Sequence, residues 1–159
     1  MKSYIIRIEL EHSDPLIWRK VIMPAGATFK MLHDIVQQVS NFQGGYPSEG
    51  YHLFEFDLAE DGIRVTNDEE AYQEHQYYKK NWKELAARIK NMKPEHKRFE
   101  EAYQQRISAV VRKPSGIKID EYLEKHGELV YNYDFGDGWH FRSNPKSCLP
   151  SIPPPAFCV

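Results

Sequence analysis

The chain has 159 residues, enough to bury one complete core and too few to make two domains the expected organisation. Apolar residues make up 41% and aromatic residues 13%, which argues against a globally disordered chain, and no apolar run approaches the ~18 residues of a membrane span. The net charge of −2 hides a polarised distribution: Lys79 to Lys118 holds 12 Lys or Arg against 4 Asp or Glu, whereas the remainder holds 9 against 19. Separation on that scale bears on partners and association, not on fold.

Tyr4–Glu11 predicts a strand, with Ile6, Ile8 and Leu10 on one face. His12-Ser13-Asp14-Pro15 supplies turn chemistry, Asp14 by capping its own backbone, and Leu16–Met23 returns as a second strand ended by Pro24. Thr28 is placed to cap a helix running to about Asn41, with an apolar stripe of Phe29, Leu32, Ile35, Val36 and Val39. Gln43–Pro47 is expected to be a loop. Tyr51–Leu58 alternates as a third strand, and Asp61-Gly62 turns it into Ile63–Val65.

Asn67 or Asp68 can cap a long helix, with Glu69 and Glu70 at its dipole-favoured end. Ala71, His75, Tyr78, Trp82, Leu85, Ile89 and Met92 follow heptad spacing as far as Lys93-Pro94. A second helix from Pro94 would set Phe99, Tyr103, Arg106 and Val110 on one face. The two together predict a helical hairpin over residues 68–111, packed within the chain. Ile119, Tyr122 and Leu123 suggest a short helix ended by Gly127. A strand then runs into Tyr133-Asp134-Phe135-Gly136-Asp137-Gly138-Trp139-His140, a shaped turn with a strand leaving it. From residue 143 to 159 a Pro-rich tail is expected.

Asp134, Asp137 and His140 are the candidate metal or acid/base residues, because carboxylates and imidazole bind metal or transfer protons where they converge. The competing and favoured reading is architectural: both aspartates accept turn N–H groups while the glycines take positive φ. Trp18 and Trp139 are expected in the core, and His33 and His52 as hydrogen-bonded packing residues. Cys148 and Cys158 lack metal spacing; two reduced thiols are expected, with a disulfide closing a tail loop as the alternative, and no cofactor is expected. Walker, dinucleotide and Ser/His/Asp motifs are absent from the sequence. Lys79, Lys80, Lys83, Arg88 and Lys90 form a basic helical arm suited to phosphates or to an acidic partner, with Trp82 available to stack on bases.

Pro15-Leu16-Ile17-Trp18-Arg19, Thr28-Phe29 with Leu32-His33, Tyr51-His52-Leu53-Phe54-Glu55-Phe56 and Tyr133-Asp134-Phe135-Gly136-Asp137-Gly138-Trp139 occur in that order across nearly the whole chain. In this combination the chain resembles the plasmid pRiA4b open-reading-frame-three-like family. The resemblance implies an α+β fold on a mixed or antiparallel sheet and brings no established catalytic or ligand residues. It also suggests an association with mobile elements. Many relatives continue past the Trp strand into a longer Cys- and Gly-containing segment, where this chain has its Pro-rich tail.

The expectation is therefore a single cytoplasmic α+β domain over residues 1–159, with packed helices and a protruding helical hairpin. The hairpin–helix–strand order allows a β-grasp-like arrangement. The expected function is a non-catalytic interaction or adaptor module with a protein partner or a second copy, and no membrane. A nucleic-acid-binding accessory is the alternative, and a metal-dependent enzyme stands third.

Overall fold

The computed structural model describes residues 2–41 and 52–149. The expected loop at Gln43–Pro47, Tyr51 and the residues from 150 onward, Cys158 among them, lie outside the described residues. The strands are β1 (Ser3–Leu10), β2 (Trp18–Pro24), β3 (Phe54–Leu58), β4 (Ile63–Thr66), β5 (Val110–Arg112), β6 (Leu129–Tyr133) and β7 (Trp139–Leu149). The α-helices are α1 (Phe29–Ser40), α2 (Glu69–Lys80), α3 (Trp82–Lys90), α4 (Glu100–Ser108) and α5 (Asp120–His126). The strands form one seven-stranded sheet in the order β2-β1-β7-β6-β3-β4-β5, so the fold is α+β. No helix among the described residues is long and apolar enough to cross a membrane.

The sheet is mixed because of one pair. Every neighbour runs antiparallel except β4 and β5, which are parallel. Parallel neighbours cannot be joined by a tight turn and need a crossover. Here α2, α3 and α4 are that crossover, so the helical arm is part of the topology that closes the sheet edge.

Alternation sorts the two faces. Tyr4, Ile6 and Ile8 of β1, Phe54, Phe56 and Leu58 of β3, and Leu129, Tyr131 and Tyr133 of β6 point inward. They pack against Phe29, Leu32 and Val36 of α1 and Leu123 of α5 in one core cluster. Burying each such side chain contributes about 1.5–3 kcal/mol before chain entropy is counted. The opposite face carries Arg7, Glu9, Glu55, Asn132 and His140, the polar partners of the same registers.

Helix α1 begins at Thr28, whose hydroxyl accepts from the Met31 N–H, and ends at Asn41 in the left-handed region with φ 56°. Gly127 ends α5 with φ 67°. In the first hairpin turn the side-chain work falls to Ser13 in place of Asp14. Its Oγ donates to the Leu10 carbonyl (2.9 Å) and accepts from the Ile17 N–H (2.8 Å).

Two elements depart from the sequence reading. Residues 143–149, expected to open the tail, continue β7 and pair with β1 along its whole length. Asn144-Pro145 argued against a strand there, since proline cannot donate to the ladder. The register shifts between Ile5 and Ile6, opposite Pro145 and Ser147, and this bulge accommodates the proline. The heptad seam also breaks. Asn81 ends α2 and opens α3, so Trp82 is 55% exposed, and Leu85, Ile89 and Ile107 form a separate small cluster with Tyr78 and Tyr103 against it.

Candidate functional site

Two regions concentrate chemistry: the sheet end where the Pro15–Arg19 and Asp134–Phe141 segments meet, and the helical arm.

At the sheet end, Trp18 opens β2 opposite Glu9. That register puts it on the polar-face side of the sheet, where the Arg7 guanidinium lies 4.7 Å from its ring. Trp18 is 44% exposed and Trp139 37%, so neither is the buried indole expected from the sequence. Leu16, Ile17 and Phe135 are exposed beside them in sequence. Between the segments lies a pocket of about 290 Å³ whose lining includes Ile8, Leu10, Trp18, Arg19, Trp139 and Phe141.

The turn between β6 and β7 is held by Asp134, which itself adopts φ 50°. Its Oδ1 accepts from the Gly136 N–H (3.2 Å), and its carbonyl accepts from the Gly138 N–H (2.6 Å). Gly138 takes φ 68°, whereas Gly136 stays out of the positive region. The other carboxylate oxygen of Asp134 pairs with His52 Nδ1 at 2.9 Å. His140 Nδ1 meets Asn132 Oδ1 at 2.6 Å on the polar face, and Asp137 is exposed. The structure thus gives Asp134 a turn role and a histidine partner, and turns His140 to Asn132. Among the described residues, no group of three or more His, Cys, Asp or Glu is arranged to hold a metal ion.

Deeper in, a polar network crosses the core. Gln37 Nε2 donates to the Tyr131 hydroxyl (3.0 Å), and that hydroxyl lies 2.7 Å from His33 Nδ1. The direction of the Tyr131–His33 bond follows the imidazole tautomer: Nδ1 accepts from the hydroxyl when the ring hydrogen is on Nε2 and donates to it when the hydrogen is on Nδ1. Burial pushes His33 down to about 4, with the nearby Asp34 carboxylate partly opposing the shift. The His33 ring stacks on Phe54 at 3.8 Å. Burial likewise raises the Tyr131 phenol. These residues serve packing and hydrogen bonding together, and buried polar atoms satisfied in this way fix one arrangement of helix on sheet.

The arm lies over the polar face at β4 and β5. There Arg106 is held by Glu74 (2.6 Å), and Arg64 by Glu55 (2.6 Å). A polar cavity of about 600 Å³ separates α2 from the sheet, lined in part by Arg64, Glu74, His75 and Arg106. Lys79, Lys80, Lys83 and Lys90 are exposed, as is Arg88, which pairs with Glu84 at 2.6 Å. Tyr77 and Phe99 are 53% and 52% exposed in the same stretch. The basic residues expected to form a contact surface therefore lie on α2 and α3 with large rings among them.

Residues 2–154 match the family model of the plasmid pRiA4b ORF-3-like proteins. The chain belongs to that family. A curated relative, "Uncharacterized protein y4hQ" of Sinorhizobium fredii (strain NBRC 101917 / NGR234), is 22% identical over 149 residues, 92% of this chain and 55% of the relative. A crystal structure described as a protein of unknown function, MM3350 from Methanosarcina mazei Go1, superposes with a TM-score of 0.58 at 20% identity. It covers 95% of this chain and 63% of that one, and at such identity it shows the fold alone. The chain spans less than two thirds of either relative.

In this pRiA4b ORF-3-like chain, sequence reasoning missed the His52–Asp134 pair and the Gln37–Tyr131–His33 network. The second left a trace. Gln37 follows His33 by four residues on α1, a spacing that puts both on one flank of the helix. The first left none, because His52 and Asp134 are 82 residues apart and only flank β3 and β6, whose register brings them together.

Proposed function

We propose that the protein is a non-catalytic interaction module whose contact surface is the distal part of its helical arm. One observation carries this reading: Tyr77, Trp82 and Phe99 expose more than half of their surface in a stretch where Lys79, Lys80, Lys83 and Lys90 are also exposed. Residues 79–98 hold eight Lys or Arg against two Asp or Glu, so a negatively charged partner is the complementary one. Large exposed rings are costly to leave in water, and they are enriched where one protein meets another.

The exposed rings also favour a second reading, a nucleic-acid-binding accessory. Bases stack on aromatic side chains while Lys and Arg neutralise phosphates.

Fluorescence anisotropy with labelled poly-glutamate, a single-stranded oligothymidylate and duplex DNA separates the two. An acidic protein partner is supported by poly-glutamate binding that disappears when Lys79, Lys80, Lys83 and Lys90 are changed to Glu. The nucleic-acid reading is supported by tighter binding of the single strand that weakens in Trp82→Ala. There, neutralising the four lysines lowers the salt slope by roughly 3. If none of the three probes binds at low salt, both readings fall.

A further inference from the structure

We propose that the pocket between Trp18 and Trp139 binds a small apolar molecule ending in a carboxylate, with the apolar body inside and the carboxylate on Arg19. This is a second site, at the sheet end and separate from the arm.

The walls define the body of the ligand. Ile8 and Phe141 are buried and form the floor, Ile17 and Trp139 are exposed at the rim, and Trp18 adds to the lining at the start of β2 with its ring against Arg7. A volume of about 290 Å³ stands at the lower edge of the roughly 300–1,000 Å³ of small-molecule sites. That suits a medium-length alkyl chain or a single aromatic ring.

Arg19 defines the head. It pairs with Ile8 in the β1–β2 register, so it occupies the core-facing side of β2 along with Val21 and Met23. Its guanidinium is exposed at the mouth of the apolar pocket, where it is accessible to a ligand head group. Among the described residues, the one hydrogen bond of its guanidinium is NH1 to the Trp18 carbonyl (2.9 Å), and no carboxylate pairs with it. The contrast is with Arg64, Arg106 and Arg142, which hold Glu55, Glu74 and Glu11. Val39 and Ser40, at the end of α1, also line the opening. A helix C-terminus there supplies about half a negative charge, and the Asn41 N–H already answers the carbonyls of Gln37 and Gln38. Arg19 is therefore left short of a full counter-ion, with donors in the planar fork that suits a carboxylate.

The tryptophans report on the site directly. In Trp82→Phe protein, Trp18 and Trp139 are the indoles that remain. Octanoate titrated into this variant is expected to give a saturable fluorescence change and one site by calorimetry. Octanamide, the neutral counterpart, is expected to bind about tenfold more weakly, since the charged hydrogen bond is lost. Arg19→Gln should bring octanoate down to the octanamide level, leave octanamide unchanged and keep the thermal midpoint, because Arg19 is exposed. Reversal of the arm lysines should change neither affinity. Absence of saturable binding at millimolar octanoate, equal affinity for the two probes, or octanoate binding retained in Arg19→Gln would each overturn the proposal.

Discussion

The sheet body and the helical arm differ in how much burial holds each of them. The body is organised around one cluster of 18 buried residues spanning six strands, α1 and α5, with Phe29, Phe56 and Tyr131 fully enclosed. The arm rests on Leu85, Ile89 and Ile107, with Tyr78 and Tyr103 partly buried against them. Ion pairs supplement it, Arg106 with Glu74 and Lys113 with Glu69, but exposed pairs of this kind contribute about 0–1 kcal/mol each. A crossover with so small a core opens more readily than the sheet it closes. It also carries exposed rings and exposed lysines, because that surface is not part of the core that holds the body together.

Substitutions in the two cores should break this contrast most sharply if it is wrong. Phe56→Ala is expected to cost about 3–5 kcal/mol, seen as a large drop in the midpoint of global denaturant unfolding. Leu85→Ala removes a comparably buried side chain for roughly 2–5 kcal/mol, yet the loss should appear as faster amide exchange across residues 69–108, with the β-strand amides unchanged. A matching drop in global stability for both variants would mean that arm and body unfold as one unit.

Tyr131→Phe sharpens the account of the body. Without the hydroxyl, Gln37 stays buried with no acceptor at that end of the network, so a loss of about 1–3 kcal/mol is expected by thermal or denaturant melting.

His33 adds a pH dependence of known sign. Its folded value lies near 4 and its unfolded value near 6.5, so the unfolded chain binds the extra proton between them. Its contribution to stability is complete above the unfolded value and is lost as pH falls from there through the folded value. His33→Gln is expected to flatten the stability profile in that window, and an unchanged slope would remove His33 as the cause.

Much of this architecture was legible from local chemistry. Thr28 and Asp68 cap α1 and α2 as their side chains suggest, Gly127 ends α5, and Phe54, Phe56 and Leu58 alternate inward. What escaped was decided by the sheet. Trp18 and Trp139 looked like core residues by type, but one opens an edge strand on the polar face and the other leaves a turn. Pro145 hid the second half of β7, because a bulge that tolerates proline depends on the partner strand. The heptad spacing across Trp82 was regular, yet Asn81 interrupts it; the Asn81 side chain donates to the Tyr77 carbonyl (2.8 Å), a local competitor of helix continuation that periodicity does not register. The candidate site showed the same division: the residue types around Asp134 were visible, and their partners were not.

The central claim of the proposed function is that a polyanionic partner is recognised by the arm, apart from the small-molecule pocket proposed at the sheet end. Hydrogen exchange read by mass spectrometry, with and without a saturating polyanion that binds (poly-glutamate or the single-stranded oligothymidylate), tests it most directly. The expected result is slowed exchange across residues 77–99, with amides of β1, β6 and β7 unchanged. Protection centred on residues 15–19 and 134–141, with the arm unaffected, would contradict it.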